Sequence, residues 1–324
     1  MKALIYLLVL PLVCSSCAAL PAEERAFAVA LCVEKTEVWR VYGRIPTYKS
    51  GGGYSTVSGS GESLSAALAA MDAEAPMRIN LSQLRLLVAE AQLAQTGELN
   101  ALLAELADRP DMRMECAVAL TEASVAAVAE ALDPAAGTRL SKALDLLLDA
   151  RIEQGVILPA ALSDVIRMGE RQSPILIALA LEGTKINLSG GYTMDGMLLD
   201  SRDVGLLSLL LGHTGAVRVS LDGGYADVRD ASVKVRLQDF ASAGVALTLN
   251  ATASTYTEEG LERAIAEELL TLLSHLSNAG CDALGLGRHA IVQTRDMAQW
   301  HELDWRGKYR NIRWEVAVGV NGPA

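Results

Sequence analysis

A multi-domain α+β fold is predicted by three features of the sequence. Strand-like and helix-like segments alternate through the first half, strands with a period of two dominate the second half, and one long amphipathic helix precedes a final alternating strand. We therefore expect an N-terminal mixed α/β part, whose sheet is flanked by helices, and a C-terminal antiparallel sheet packed by the long helix. The predicted divisions are a signal peptide at 1–16, an N-terminal region of one or two subdomains at 17–183, and a C-terminal domain at 184–324.

In the first half, apolar runs and turn residues indicate the order of the elements. Residues 50–61 are rich in Gly and Ser and are expected to form a loop, with Ser60 or Gly61 capping a helix that starts near Glu62. A second helix is predicted over 82–97. The other predicted strands are 26–35, 38–45, 77–81, 114–120 and 175–181, and the other predicted helices are 99–106, 124–132, 140–152 and 160–168.

In the second half, turn signals and alternation predict a strand-rich domain. An Asp-Gly dipeptide at 195–196 predicts a hairpin turn, and Gly212 is expected to end a short helix. Thr255 and Glu258 form a capping box ahead of the longest helix, and the strand 312–320 has the strictest alternation in the chain. The apolar stripe of the long helix consists of Leu261, Ile265, Leu269, Leu272 and Leu276.

Composition and charge exclude two classes of partner. The 324 residues include 28 Lys and Arg against 39 Asp and Glu, which gives a formal net charge of −11. This sign opposes binding to nucleic-acid phosphates, and it opposes adhesion to anionic lipid by charge. Mean hydropathy is +0.26, yet charges interrupt the apolar stretches beyond the N-terminus. None approaches the ~20 apolar residues of a spanning helix.

The N-terminus predicts export and a lipid anchor. A basic start at Lys2, an apolar run at 3–13 and small residues before Cys17 are typical of a secretory signal that ends in a lipobox. We expect lipidation at Cys17, since bulky Val13 makes Cys14 a poor site. An ordinary secretory signal and an uncleaved anchor are the alternatives. Two or more acyl chains would hold the protein stably on a membrane, whereas one chain is marginal.

The remaining cysteines do not suggest a disulfide scaffold. Cys32, Cys116 and Cys281 are odd in number and have no C-x-x-C spacing. The first two lie in apolar, strand-like runs, so we expect buried, inert thiols. Cys281 precedes an aspartate in a predicted loop, and it is the one thiol that we expect to be worth testing for reactivity.

No arrangement of residues predicts catalysis. The Gly/Ser segment lacks the Gly-Lys-Ser/Thr ending of a phosphate loop, and the chain has no G-x-S-x-G elbow. The four histidines are scattered and none lies in an H-E-x-x-H motif. We therefore expect no metal and no cofactor. The histidines are His213, His275, His289 and His301.

Tryptophan is concentrated near the C-terminus. Trp300, Trp305 and Trp314 fall in the last 25 positions of a chain with only 4% aromatic residues. Large rings of this kind anchor either a core or an interface. We expect Trp314, inside the final alternating strand, to belong to the core. For Trp300 and Trp305 a core role and a partner contact surface both stay open.

These segments together resemble the Ger(x)C lipoproteins, the C subunits of bacterial spore germinant receptors. The resemblance is clearest at the end of the chain, in the long acidic helix after Glu258, the Asp-Ala-Leu-Gly-Leu-Gly run at 282–287, Trp300, Trp305, and the closing strand at 312–320. Order and spacing carry the resemblance more than any single motif. Further similar segments are 30–35, 62–71, 76–88, 191–199 and 203–211.

The resemblance implies a non-enzymatic subunit on the outer face of the spore's inner membrane. Such a subunit assembles with two integral membrane subunits and supports germination, with no cofactor, no nucleic acid and no small-molecule substrate. The chain departs from the family in two ways. Members often carry Trp-Asp after the lipidated cysteine, where this chain has Ala18-Ala19, and the segments 39–48 and 133–159 are short.

A lipid-anchored solute-binding protein is the alternative. That role needs a cleft between lobes, lined by convergent polar and aromatic groups. The low aromatic content and the strand-rich second half disfavour it. An extracytoplasmic hydrolase has no support among the residues.

Overall fold

The computed structural model describes residues 25–47, 53–134, 138–168, 171–213, 216–221, 224–239, 244–253 and 260–321. The strands are β1 (Arg25–Phe27), β2 (Ala30–Lys35), β3 (Trp39–Pro46), β4 (Tyr54–Gly61), β5 (Arg78–Asn80), β6 (Leu86–Glu90), β7 (Ala117–Thr121), β8 (Ile175–Glu182), β9 (Lys185–Thr193), β10 (Leu198–Leu199), β11 (Ala216–Leu221), β12 (Gly224–Asp239), β13 (Gly244–Ala253) and β14 (Arg313–Asn321). The helices are α1 (Leu64–Glu74), α2 (Gln92–Gln95), α3 (Leu99–Ala107), α4 (Val125–Ala131), α5 (Leu140–Glu153), α6 (Leu162–Met168), α7 (Ser201–Leu211), α8 (Leu261–Ala279), α9 (Leu286–Ile291), α10 (Met297–Glu302) and α11 (Trp305–Tyr309).

The first part of the chain builds an eight-stranded sheet in the order β10-β9-β8-β7-β6-β2-β3-β4. The central strands β2, β6, β7 and β8 run parallel, and antiparallel strands extend the sheet at both edges. Helices α1, α2, α3 and α6 pack on one face, while α4 and α5 pack on the other. Because both faces are covered, central strands are apolar throughout, and every residue of β7 is buried. The small β1–β5 pair is parallel.

The predicted loop at 50–61 is wrong for residues 54–61, which form the edge strand β4. Its glycines let α1 pack directly on the strand, since a Cβ atom at Gly59 would lie 2.2 Å from the Ala67 carbonyl oxygen. The predicted cap is also displaced by two or three residues. Helix α1 begins at Leu64, where Ser63 Oγ accepts the Ala66 N–H at 3.1 Å.

The predicted helix at 82–97 is wrong for most of its length. Residues 86–90 form β6, in the middle of the sheet between β2 and β7, and only residues 92–95 are helical. The side chains of the Leu-Leu-Val-Ala run are buried on both faces of the sheet. A continuous apolar run of this kind is compatible with a central strand and with a buried helix, so periodicity alone does not separate them.

A second sheet, in the order β11-β12-β13-β14, carries α8 on one face. The first three strands are antiparallel as predicted, and β14 joins β13 in parallel. A parallel neighbour needs a long crossover, which helices α8 to α11 supply. The predicted stripe of α8 is buried from Leu261 to Leu276. The capping box of Thr255 and Glu258 lies outside the described residues, and Gly260 is the N-cap of α8.

The predicted hairpin and the short helix after it are confirmed. Leu198 pairs with Tyr192 across the turn, and α7 ends at Gly212, which has a left-handed φ of 72°. Both strands of the hairpin belong to the eight-stranded sheet. That sheet therefore continues past the predicted boundary between 183 and 184, and the division into domains stays a prediction. The mixed first sheet and the helix-packed second sheet confirm the α+β class.

Candidate functional site

A cleft of about 580 Å³ lies between the N-terminal and C-terminal parts of the chain. The N-terminal part contributes α3, α6, the start of β8 and the β9–β10 turn, and the C-terminal part contributes the end of α8 together with α10 and α11. Clefts of this size at the junction of two parts of a chain are common ligand sites. Its lining residues are Asn100, Val165, Ser173, Pro174, Thr193, Met194, Asp195, Gly280, Cys281, Asp282, Trp300, His301, Asp304, Trp305 and Arg306.

The buried Asp282 carboxylate organises the inner wall of this cleft. Its Oδ1 accepts the Leu286 N–H at 2.9 Å, and its Oδ2 accepts the Gly287 N–H at 2.6 Å and Trp305 Nε1–H at 3.0 Å. The two backbone donors are the first N–H groups of α9, so the aspartate caps that helix from inside the protein. Only 3% of Asp282 is exposed.

Glycine makes this local fold possible at two positions. Gly285 has a φ of 72°, in the left-handed region that ordinary side chains avoid. Gly287 lies against a neighbouring segment, where a Cβ atom would come within 2.6 Å of the Arg171 carbonyl oxygen and 2.9 Å of Trp305 Nε1. The Asp-Ala-Leu-Gly-Leu-Gly run therefore encodes a tight turn around its own carboxylate.

The same turn joins the two parts of the molecule. The Ser173 N–H donates to the Asp282 carbonyl at 2.9 Å, and the Asp282 N–H donates back to Ser173 Oγ at 3.1 Å. Gln172 Nε2 donates to the Ala283 carbonyl at 2.9 Å. Residues 172–173 lead into β8 of the large sheet, so these three hydrogen bonds tie that sheet to the C-terminal part. We call this set of contacts the junction.

A row of four aromatic rings supports the junction. The Trp300 and Trp305 rings stack with centroids 6.2 Å apart, Tyr309 follows at 6.1 Å, and Trp314 meets Tyr309 edge-on at 6.3 Å. Trp314 Nε1 donates to Ser277 Oγ on α8 at 2.7 Å. The row therefore fixes α10 and α11 between the long helix and the last strand.

The mouth of the cleft is bridged by a salt bridge. Arg306 of α11 donates to the Asp195 carboxylate in the β9–β10 turn, and both side chains are about half exposed, at 53% and 54%. Gly280, the left-handed C-cap of α8, leaves room for this arginine, because a Cβ atom there would lie 3.0 Å from Arg306 Cγ.

Burial controls the ionisation of the groups inside. It raises the pKa of Asp282, and hydrogen bonds from Gly287, Leu286 and Trp305 act in the opposite direction. It also raises the pKa of the Cys281 thiol to about 12, although a hydrogen bond with Ser173 opposes the shift. A thiol with this pKa stays protonated near neutral pH, which disfavours reactivity at Cys281, the one thiol that the sequence marks as worth testing.

The other two thiols behave as predicted. Cys32 lies in β2 and Cys116 lies just before β7, and both are completely buried. Burial raises the pKa of each thiol to about 12. Within the described ranges, no three His, Cys, Asp or Glu side chains come together in a way that could hold a metal ion.

The structure places the predicted site residues in different environments. Cys17 lies outside the described residues. Trp300 and Trp305 are buried, with 3% and 7% of their surface exposed, which favours the core role that the sequence left open. Both rings line the cleft, so a partner would contact them by inserting a group into it. Such a partner contact stays a prediction.

Sequence reasoning missed Asp282 and the pair of Asp195 and Arg306. The Asp-Ala-Leu-Gly-Leu-Gly run belongs to the resemblance described above, and an aspartate followed by two closely spaced glycines is a signal for an internal cap. For the pair no local signal exists, since the two residues are 111 positions apart.

Comparison with known proteins identifies the family. Residues 20–181, half of the chain, match the family described as "Spore germination protein N-terminal domain". The chain is a spore germination protein of the Ger(x)C family. This Ger(x)C protein also shares its fold with the solved structure titled "Crystal Structure of the GerBC protein", with a TM-score of 0.57 at 12% sequence identity. The likeness covers 91% of this chain and 97% of the other.

Two further findings concern the Ger(x)C protein as a whole. No curated protein sequence matches it. Among the residues that the structure describes, no helix combines the length and the apolar character needed to cross a bilayer.

Proposed function

We propose that this Ger(x)C protein is a non-enzymatic, lipid-anchored subunit of a nutrient germinant receptor that is needed for receptor assembly and spore germination. The match of residues 20–181 to the spore germination family carries the proposal. The shared fold with GerBC over 91% of the chain supports it, because the likeness extends beyond the matched N-terminal region.

The proposed location is the outer face of the spore's inner membrane. The basic start, the apolar run and the small residues before Cys17 support export followed by lipidation of that cysteine. An acidic body has no general attraction to an anionic surface, so a covalent anchor would be the main source of attachment. The proposed partners are two integral membrane receptor subunits.

The hydrogen bonds inside the protein support a structural role for the buried Asp282 side chain. All three hydrogen bonds to the Asp282 side chain come from N–H groups of its own part of the chain, where they hold α9 and Trp305 in place. The buried thiols have pKa values of about 12, so none of them supplies a thiolate nucleophile.

Replacing the anchor cysteine tests this function. In spores that carry the Cys17→Ser variant as the sole copy, we expect the protein to leave the membrane fraction and nutrient germination to fail. Cys14→Ser is the matched control, and it should remain membrane-bound. Protein level is followed by immunoblot, and germination by the loss of refractility after nutrient addition.

Two results would contradict the proposal. One is a Cys17→Ser protein that sediments with membranes as the unchanged protein does. The other is normal nutrient germination in spores from which the gene has been deleted and no related gene remains. Co-purification of the two membrane subunits with the tagged protein is the direct assay for assembly.

A further inference from the structure

The cleft has the features of a small-ligand site that the sequence did not predict. It is large enough at about 580 Å³ for an amino acid or a short peptide, and its walls come from two separate parts of the fold. The floor includes Trp300, Trp305, Met194 and Val165, which offer apolar and aromatic atoms to a ligand body. A solute-binding protein, the alternative function considered from the sequence, needs a cleft lined by polar and aromatic groups in this way.

Charges of both signs stand at the rim. Asp195 lies on the N-terminal wall, and Asp304 and Arg306 lie on the C-terminal wall, all with exposed or half-exposed side chains. Asp282 is the third carboxylate of the lining, but three N–H donors already occupy its oxygens. The accessible rim thus presents two carboxylates and one guanidinium, beside the exposed imidazole of His301.

The position of Asp304 is itself unusual. Its φ is 45°, in the left-handed region that residues other than glycine seldom adopt, and its Oδ1 accepts the Gly307 N–H at 3.2 Å. Backbone strain of this kind collects at sites that bind or react. This conformation places the carboxylate at the start of α11, two residues before Arg306.

The salt bridge at the mouth can be exchanged at little cost. An ion pair between half-exposed side chains contributes little to stability, because water screens it and both side chains lose freedom. A ligand with an ammonium and a carboxylate supplies a new partner for each half of the pair. Breaking the salt bridge between Arg306 and Asp195 to admit such a ligand therefore leaves no charge unpaired. A ligand with one charge would leave either Asp195 or Arg306 without a partner.

We propose that the cleft binds a small zwitterion, either a free amino acid or a short peptide. The ligand ammonium lies between Asp195 and Asp304, the ligand carboxylate pairs with Arg306, and the apolar body rests on the tryptophan floor. This inference goes beyond the proposed function and does not depend on it, since a binding site on the purified chain is independent of membrane attachment or germination.

Calorimetric titration of the full chain carrying Cys17→Ser tests the proposal. The probes are the complete set of protein amino acids and trialanine, each to millimolar concentration. For the best ligand, the methyl ester retains only the positive charge and the N-acetyl form retains only the negative one. We expect the zwitterion to bind about tenfold more tightly than either analogue, which corresponds to ~1.4 kcal/mol.

Matched variants locate the site. Arg306→Gln should raise the Kd of the zwitterion about tenfold and abolish the preference over the methyl ester, because the carboxylate loses its partner. Arg295→Gln removes another exposed positive charge, outside the cleft, and should leave the Kd unchanged. Unchanged circular dichroism shows that each variant folds.

Three results would overturn the proposal. The first is the absence of binding heat for all amino acids and for trialanine. The second is equal affinity for the zwitterion and its methyl ester, which would make the site a cation site. The third is the same Kd in Arg306→Gln as in the unchanged chain. Any of these three results would overturn the ligand proposal and leave the membrane and germination predictions unaffected. The two proposals are therefore judged separately.

Discussion

At the scale of single residues, Asp282 shows how a buried charge can stabilise a turn. Its carboxylate accepts three N–H groups, two from the start of α9 and one from Trp305. An ionised group removed from water is costly unless such donors replace the lost hydration. Here all three donors lie within 23 residues of the aspartate in the sequence.

Replacing Asp282 with asparagine should therefore be destabilising. The amide nitrogen of Asp282→Asn would face N–H donors, which leaves at least one buried donor without a partner. We expect the free energy of unfolding to fall by about 2 kcal/mol, as measured by urea denaturation. Asp108→Asn, at an exposed position, is the control and should have little effect. Equal urea midpoints for the two variants would contradict a stabilising role for Asp282.

The buried thiols give a prediction that depends on pH. Burial raises the pKa of Cys32, Cys116 and Cys281 from 9.0 to about 12. Between pH 9 and 12 the thiols of the unfolded chain ionise while those of the folded chain do not. The folded state binds more protons in this window, so stability should fall as the pH rises through it.

Alkylation by iodoacetamide tests whether these thiols are buried and protonated in the folded protein. Peptide mapping should find these three cysteines unmodified in the native protein at pH 8, and fully modified after urea is added. Rapid native modification at Cys281 alone would show that this thiol is reactive despite its burial. Sequence patterns predicted the burial of Cys32 and Cys116 from their apolar neighbours, but the residues that bury Cys281 include the distant Ser173.

At the scale of elements, local composition predicts the wrong structure for two strands, β4 and β6, for different reasons. In β4, the glycines favour a loop by composition, whereas in the structure they let α1 lie against the strand. In β6, a run rich in leucine favoured a helix, whereas pairing with β2 and β7 on both sides makes it a central strand. Elements whose periodicity was unambiguous, such as α8 and β14, were predicted well.

The glycine of β4 can be tested directly. In Gly59→Ala, the new methyl group would meet the Ala67 carbonyl oxygen at 2.2 Å and the Met71 nitrogen at 2.3 Å, so α1 must move. We expect a loss of about 2–3 kcal/mol in the free energy of unfolding. Gly319→Ala is the control in another strand, where the close atom belongs to the movable Asn250 side chain at 3.0 Å. A tolerated Gly59→Ala would mean that α1 does not pack this closely.

At the scale of the whole molecule, the polar contacts of the junction add to a buried apolar cluster that continues from one part to the other. Two clusters of buried residues lie between the large sheet and its helices, while a third contains residues of β8, β10 and α7 together with residues of α8 and the second sheet. The junction of Gln172 and Ser173 with the turn at 281–283 reinforces this connection, beside the exposed bridge from Arg306 to Asp195. Such a connection holds the walls of the cleft at a defined spacing.

Disturbing the junction should weaken the coupling between the parts. In Gly287→Ala, the methyl group would meet the Arg171 carbonyl oxygen at 2.6 Å, which forces residues 171–173 away from α9. We expect a loss of about 2 kcal/mol and a broader calorimetric transition, since only the shared apolar cluster would still couple the parts. Gly205→Ala, whose new contacts start at 3.4 Å, should keep the sharp transition. An equally sharp transition in Gly287→Ala would count against coupling through this contact.

The sequence alone determined the α+β class, the order of most elements, the apolar faces of α8 and β14, and the acidic net charge. These properties depend on periodicity and composition, which are local. Only the tertiary structure decided that β6 is a central strand, that Trp300 and Trp305 are buried, and that Asp195 meets Arg306 across a cleft. Each of these depends on residues far apart in the chain, whose proximity follows from strand order and helix packing, and a single sequence carries no local signal of that proximity.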